Sequence, residues 1–455
     1  MNQVKKYYQL IPEKVCQDLF LIEDLIISRI KGFTRDNLKE IISIVACHVR
    51  KDGEPAQLQM EYIRKLVPQG DKYLLSLIDL GIVDRSGIAS KQQGISFKYN
   101  FSPEYQSKYL SLPLTNASLI RRIEKAQETF RKEAAKSARG RSEQAKYLKQ
   151  LTIDEDYEKF IDLNYADETK QYNDIKGSAT RILNRDIKYS VDNTSGRFHS
   201  NITNMAKGLR PFIRINGEPL ANIDIKNSQP YLSTIILTDP GKVSHMTKNH
   251  AFAILLQTLK YKDTEDVKKY IYLVASGQLY EYLMAEFSKE GLTLSRTETK
   301  RQVLRILFAR NRMPKEEINK KARLIFKDRF PTVHRIFSKV RGHEKGDKFQ
   351  NFKRFAILLQ RIESFLMLDV ILKRIYKELP GTIAVTVHDS IMTGILTNNI
   401  EAVRKIMIEE LTSFVGFAPQ TNIEGIIEEK EEKGNEEGKR IISNQYVGTN
   451  LVSLN

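Results

Sequence analysis

Two aspartates each close a short apolar run. In Leu220-Ala221-Asn222-Ile223-Asp224-Ile225 the carboxylate ends a strand-like stretch and is followed by Lys226-Asn227-Ser228-Gln229-Pro230. In Val385-Thr386-Val387-His388-Asp389-Ser390 a second carboxylate stands at the end of a β-rich stretch. A charge at the end of an apolar strand needs an offset, because an unpaired carboxylate taken out of water is costly. Two such strand ends side by side can share divalent cations. Two cations about 3.5–4 Å apart suit in-line displacement at a phosphate. Read alone, each residue has a plainer use: Asp224 as a helix cap, Asp389 as the polar residue of a hairpin turn.

Between them lies Ser295-Arg296-Thr297-Glu298-Thr299-Lys300-Arg301-Gln302-Val303-Leu304-Arg305-Ile306-Leu307-Phe308. Arg296, Lys300, Leu304 and Phe308 are spaced i, i+4, i+8, i+12, one drifting stripe on a helix. Two cations a turn apart can hold a triphosphate, and an apolar ring further on can support a base or sugar. A solvated basic helix face has the same spacing.

The elements that must position these groups are legible. Ile223 and Ile225 flank Asp224, so on a strand its side chain takes the opposite face. Pro230 suits the first turn of a helix, which makes the run strand, turn, helix. Thr382 to Val387 and Ile391 to Ile395 are two β-rich runs, with His388-Asp389-Ser390 as the turn between them. Turns and strand-like pieces occupy 185–235, and 240–345 reads mainly helical. A long amphipathic helix is expected over 350–378, and another near 399–414 before a last strand-like piece. Glu428 to Glu437 reads as a solvated loop or tail connection.

The first 110 residues read as a separate unit. Apolar periodicity predicts helices near 14–31, 36–50, 57–67 and 71–82, with Asp71 as N-cap and Gly81 as stop. Turn residues at Ser86-Gly87 and Gln93-Gly94 and a strand from Ile95 to Phe101 follow. Helices followed by a hairpin resemble a winged-helix module; a purely helical packing domain is the alternative. Residues 116–150 are strongly basic and helical, with Arg121, Arg122, Lys125, Arg131, Lys132, Lys136, Arg139, Arg141, Lys146 and Lys149, interrupted at Gly140.

Composition bounds the rest. A chain of 455 residues with 41% apolar content is an ordinary globular protein of about two to four compact units. The 73 basic and 56 acidic residues give a net charge of +17, a field that favours polyanions. The only cysteines, Cys16 and Cys47, exclude a disulfide framework and read as buried thiols. Met1 to Lys6 precedes mixed polar sequence without a signal-peptide core, and no apolar run spans a bilayer, so a cytoplasmic protein with no membrane partner is expected.

A carboxylate strand, a cationic helix and a carboxylate hairpin, in that order, resemble the family A polymerase superfamily. That group includes the family A DNA polymerases and the phage-type single-subunit RNA polymerases. Asp224 matches the first catalytic aspartate, with Ser228 at the serine spacing of the RNA polymerase branch. Arg296 and Lys300 match the Arg-x-x-x-Lys pair, and Thr299-Lys300-Arg301 repeats the RNA polymerase wording. His388-Asp389-Ser390 matches the third motif, again with that branch's serine. Thr194-Ser195-Gly196-Arg197 resembles the Thr-Gly-Arg motif of the DNA polymerases, with one extra residue. Phe326 to Val333 resembles a finger segment reading Phe-x-x-Arg-Tyr-Pro-x-Val, and Gln360 fits a glutamine that touches the duplex. The matches fall within roughly residues 115–425.

The resemblance implies an α+β right-hand fold: an antiparallel palm sheet, helical fingers and thumb, and the small N-terminal helical or winged-helix-like domain. Its regions would be 1–110; a basic thumb-like stretch, 111–185; palm, 186–237; fingers, 238–345; palm again, 346–425; and a charged C-terminal segment, 426–455. It implies Asp224, Asp389 and Lys300 as catalytic residues, with two Mg²⁺ ions (Mn²⁺ as a substitute) on the two aspartates. Arg296, Lys300, Leu304, Phe308 and Gln229 would bind the nucleotide. Arg197, Gln360, His388, Arg139 and Arg141 would contact nucleic acid. The partners would be nucleoside triphosphates and a primer–template, DNA or RNA.

Departures bear on the sugar. Five residues after the first aspartate the DNA enzymes carry a Glu that blocks a ribose 2′-hydroxyl, and the RNA branch a Gly; here it is Gln229. Eight residues after the lysine both branches usually carry Tyr-Gly; here it is Phe308-Ala309. A bulky Gln with a Phe leans toward deoxynucleotides, the serine of the third motif toward ribonucleotides. The expectation is a primer-extending DNA polymerase without a proofreading exonuclease. The alternatives are an RNA polymerase or primase on the same fold, or an inactive winged-helix nucleic-acid-binding protein.

Overall fold

The structure, a computed structural model, describes residues 7–48, 55–90, 95–138, 140–246, 259–341, 353–396 and 399–425. The chain divides into two compact units, Met1–Ser190 with His199–Pro219, and Val191–Phe198 with Leu220–Asn455. Helices dominate both, and every registered strand pair is antiparallel, as an α+β chain requires. Among the described residues no helix is long and apolar enough to cross a membrane.

The first unit opens with strand β1 (Tyr7–Pro12), then helices Glu13–Gln17, Leu19–Ile27 and Arg35–His48. Strand β2 (Ala56–Gln57), helices Met60–Leu66 and Gly70–Asp79, and strands β3 (Val83–Ser86) and β4 (Lys98–Phe101) follow, the sheet order being β2-β4-β3. Asp18, which accepts from the Tyr105 hydroxyl at 3.1 Å, separates the two helices expected as one over 14–31. Gly81 ends its helix as expected, at φ +69° with the Ile82 amide on Leu77 O at 2.9 Å. Asp71 is not the N-cap. Gln69 (φ +56°) takes that position, and Asp71 sits in the first turn, paired with Arg64 at 2.8 Å. The turn expected at Gln93-Gly94 lies outside the described residues.

Strand β5 (Tyr109–Leu114) returns along β1, from Tyr7↔Leu114 to Pro12↔Tyr109. The expected boundary at 110 therefore falls inside a strand whose partner opens the chain. Leu10, Ile11, Leu38, Ile41, Val45, Leu74 and Tyr99 share one core with Leu119 and Ile123 of the basic helix Ala117–Ser137. Asn116 caps that helix, accepting from the Ser118 and Leu119 amides at 3.0 and 3.1 Å. Its cations Arg121, Lys125, Lys132 and Lys136 are exposed. Cys16 and Cys47 are free thiols, only partly buried. Strand β6 (Leu151–Ile153), the short pair β7 (Tyr189–Val191) and β8 (Phe198–Ser200), and β9 (Ile213–Ile215) lead to β10 (Glu218–Ile225). β9 pairs with β6 and with the first two residues of β10.

The second unit is built on the rest of β10. The hairpin β11 (Ala384–Val387) and β12 (Ser390–Gly394) pairs on one side and β13 (Thr421–Glu424) on the other, so β10 is an inner strand. Between β10 and β11 the described residues form mainly helices, among them Glu265–Ala275, Leu279–Lys289, Arg296–Phe308, Glu317–Arg329 and Pro331–Arg341. The buried rings of Phe326, Phe330 and Phe337 surround Tyr270 edge-on, and Asp266 accepts from the Thr332 and Val333 amides at 2.6 and 3.2 Å. That caps the helix begun by Pro331. The long amphipathic helix runs as Arg354–Ser364, a π-helical stretch Phe365–Ile371, and Leu372–Glu378; residues 350–352 lie outside the described residues. The last helix is Ile400–Val415, stopped by Gly416 at φ +102°. The 426–455 segment, with Glu428 to Glu437, also lies outside the described residues.

Candidate active site

Within the second unit the strands bring the two aspartates to one place. Asp224 pairs in register with Ser390 on β12 and with Asn422 on β13. Residues directly opposite in an antiparallel sheet share a face, about 4.5–5.5 Å apart. Ile223 and Ile225 are buried on the other face, while Asp224 stays partly exposed. Asp389 immediately precedes Ser390 in a two-residue turn closed by the Val387↔Ser390 pair. His388 leads that turn at φ +59°, a conformation usually left to Gly. Strand, turn and helix also follow Asp224 as expected: Asn227 adopts φ +57° and the helix Ser228–Ser233 begins, with Pro230 in its first turn.

Orphaned polar atoms gather beside Asp224. Asn222 Oδ1, Asn227 Nδ2, Ser228 Oγ and Gln229 Oε1 are buried without a hydrogen-bond partner. Each such atom costs about 1–3 kcal/mol, and native proteins tolerate them where water, an ion or a ligand completes the bonding. Among the described residues there is no cluster of three or more His, Cys, Asp and Glu able to hold a metal. Two carboxylates with an amide oxygen on the same strand are hard donors. They fit Mg²⁺, which uses one or two carboxylates plus water and substrate phosphates, better than a closed protein cage.

A second cluster centres on Glu363, a residue the sequence analysis did not select. Arg197 donates through Nε and a terminal nitrogen to its two oxygens at 2.9 and 2.8 Å, and Gln229 Nε2 donates to Oε2 at 2.6 Å. Burial pushes the Glu363 carboxyl up to about 7; Arg197 pulls it down, Asp389 pushes it up, and the Gln229 bond lowers it. Its signal was a lone acid among Ile362, Glu363 and Ser364 on the buried side of an amphipathic helix, three residues after Gln360. The loop before Arg197 is held by Asp192, which accepts from the Thr194 and Ser195 amides at 2.9 Å each and from the Ser195 hydroxyl. Burial opposes its ionisation, but those bonds bring Asp192 down to about 2. Arg361 Nε donates to Thr194 O at 2.8 Å and pins the same loop to the long helix. Arg197, expected on a duplex, donates two of its nitrogens to this carboxylate and keeps 21% of its side chain exposed.

Arg296 opens its helix behind a Ser295–Glu298 capping box. A cation there opposes the helix dipole; Glu281 offsets it at 2.6 Å, and the guanidinium lies 5.6 Å over the Tyr280 ring. Burial raises the Tyr280 hydroxyl above its usual range, Arg296 lowers it, and Glu281 and Asp389 raise it. The cationic helix and the Asp389 turn therefore act on one hydroxyl. Lys300 is exposed, and among the described residues it makes no ion pair. Leu304 and Phe308 continue the stripe, half-buried, between buried Val303, Ile306 and Leu307. Gln360 is half-buried one turn before Glu363 and Ser364. Arg139 lies outside the described residues, and Arg141 stands in the first unit, between helices Ala117–Ser137 and Ser142–Leu148.

No family model matches the chain and no curated protein matches it. Among solved structures it is similar to the polymerase domain of Pol1 from M. smegmatis, determined with a DNA primer–template and a dNTP. The identity is 11% and the TM-score 0.31, over 92% of this chain and 66% of that one. The chain thus spans just under two thirds of that domain, and a likeness of this degree leaves the reading of the site to its own residues.

Proposed function

We propose that the protein is a template-directed nucleic acid polymerase that extends a primer with deoxynucleotides. The observation that carries the reading is the register of Asp224 against Ser390, which sets two carboxylates at neighbouring strand ends. Asp224 and Asp389 would hold Mg²⁺, with Mn²⁺ as a substitute, and the cations would supply charge neutralisation and a more acidic primer 3′-hydroxyl. Lys300, exposed and without an ion pair among the described residues, neutralises the triphosphate and supports departure of pyrophosphate. Arg296 joins it on release from Glu281. Leu304 and Phe308 back the base and sugar. His388 sets the Asp389 turn and meets the primer end, and Gln360 and the basic stretch with Arg139 and Arg141 contact the duplex.

On this reading the subdomains are palm at 186–237 and 346–425, fingers at 238–345 and thumb at 111–185, in a cytoplasmic protein. The helix–strand–helix–helix–hairpin order over 35–101, with sheet order β2-β4-β3, supports a winged-helix-like module for 1–110. The test is extension of a labelled primed template with dNTPs or rNTPs in Mg²⁺ or Mn²⁺. Preference for rNTPs with initiation lacking a primer would favour the RNA polymerase or primase reading. Duplex binding without incorporation in either metal would leave only a binding protein.

A further inference from the structure

Strand β1 and the helices Arg35–His48, Met60–Leu66, Ala117–Ser137 and Thr169–Leu183 all contribute to the lining of a cavity of about 420 Å³. Every lining residue belongs to the first unit. The volume falls in the range of small-molecule sites, about 300–1,000 Å³. Two cations border it. Arg181, half-buried, donates one terminal nitrogen to Cys47 O at 2.9 Å and makes no ion pair among the described residues. Lys188 is exposed, and its Nζ lies 5.7 Å over the Phe130 ring. Two rings are open to solvent at the same cavity, Phe130 at 58% and Tyr62 at 41% exposure.

The cavity also offers two acceptors with nothing to accept. His48 Nδ1 lies 2.7 Å from Ile44 O, which can only accept, so Nδ1 carries the proton and Nε2 is left bare. Burial lowers the His48 pKa; the Ile44 bond raises it, and Lys188 and Arg181 lower it. Gln127 Nε2 donates to the Tyr7 hydroxyl, and Gln127 Oε1 is buried without a partner. The acids of the lining are already offset. Asp186 pairs with Lys188 at 3.2 Å, and Glu40 accepts from Gln9 while burial pushes its carboxyl up to about 7.

We propose that this cavity is a binding site for a nucleoside phosphate, with the base against Tyr62 and Phe130, its N–H groups for His48 Nε2 and Gln127 Oε1, and its phosphates for Arg181 and Lys188. A guanidinium fork suits phosphate oxygens, and exposed aromatic faces suit a base. Neither half of the ligand satisfies the cavity alone. A bare phosphate leaves the acceptors orphaned, and a nucleoside leaves the guanidinium without an anion. The proposal does not rest on the polymerase reading, whose Asp224, Asp389 and Lys300 stand in the second unit.

The experiment titrates ADP into the full chain by isothermal calorimetry with EDTA present, which removes the cations that a nucleotide at Asp224 and Asp389 would use. The expected result is one ADP per chain, bound roughly tenfold or more weakly by Arg181→Gln and a few-fold more weakly by Phe130→Ala. Lys300→Ala should bind as wild type does. Adenosine and pyrophosphate should each bind at least roughly tenfold more weakly than ADP. Phe130 is exposed, so Phe130→Ala carries the test if Arg181→Gln fails to fold. A folded wild type that takes up no ADP overturns the proposal. Unchanged affinity in a folded Arg181→Gln protein or in Phe130→Ala does so too, as does binding lost in Lys300→Ala. Pyrophosphate or adenosine binding as tightly as ADP overturns the assignment to a nucleoside phosphate.

Discussion

Asp224 and Ser390 face each other across two antiparallel strands, and that single register places Asp389 beside Asp224. A slip of one residue would move either carboxylate to the opposite face of its sheet. Asp224→Asn and Asp389→Asn keep the shape but replace one acceptor oxygen with a donor and remove the charge that would hold a cation. Each should lower primer extension by at least roughly 100-fold, with nucleic-acid binding retained in a gel-shift assay. Near-normal turnover by either variant would rule out the shared metal site.

The two cations of the helix Arg296–Phe308 should behave differently. Lys300→Ala removes an ammonium with no ion-pair partner among the described residues and should cost roughly 100-fold in kcat/KM for nucleotide. Arg296 is held by Glu281, but the partners are 56% and 49% exposed, and such pairs contribute only about 0.2–1 kcal/mol. A triphosphate can displace Glu281. Glu281→Gln is therefore expected to lower the nucleotide KM a few-fold; steady-state kinetics showing a higher KM would instead make the pair a support for Arg296.

Stability should depend on pH through Glu40. It is buried, accepts from Gln9 Nε2 at 2.9 Å, and burial pushes its carboxyl up to about 7, with Asp36 adding to the rise and Gln9 opposing it. The folded state then binds the proton more tightly than the unfolded chain, so this contribution is full below about 4.5 and is lost as pH rises through about 7. Glu40→Gln keeps the acceptor for Gln9 without the charge. Urea titrations at pH 5 and 8 should show the variant gaining about 1–3 kcal/mol over wild type at the higher pH; equal curves at both would exclude a buried titrating Glu40.

The loop after the cationic helix is held by buried arginines. Arg323 donates to the carbonyls of Arg310, Arg312 and Asn311 at 2.7, 3.0 and 3.2 Å, and Arg341 to those of Ile306 and Ala309 at 2.8 and 3.0 Å. Burial lowers both guanidinium pKa values, that of Arg341 to about 9. Arg323→Met strands three carbonyls and should cost about 2–4 kcal/mol, read as a lower melting temperature. An unchanged melting temperature would mean that water replaces the guanidinium.

The local elements of the site were legible in the sequence because their signals are short-range. Alternation around Ile223, Asp224 and Ile225, the β-rich runs flanking His388-Asp389, and the i, i+4 spacing of Arg296 and Lys300 each concern neighbours in the chain. Strand β1 was missed because its partner, β5, lies about a hundred residues away and only pairing makes Tyr7 to Pro12 a strand. Glu363 was missed for the same reason. Its meaning depends on Arg197, 166 residues earlier, and Gln229, 134 residues earlier. The sequence by itself determined which groups can do chemistry and on which elements they stand. Tertiary structure alone decided that Arg197 is bound to a buried carboxylate and that Gln229 donates its nitrogen to the same group, leaving its oxygen buried without a donor. Those choices follow from desolvation and hydrogen-bond directionality, which act only once the chain has closed.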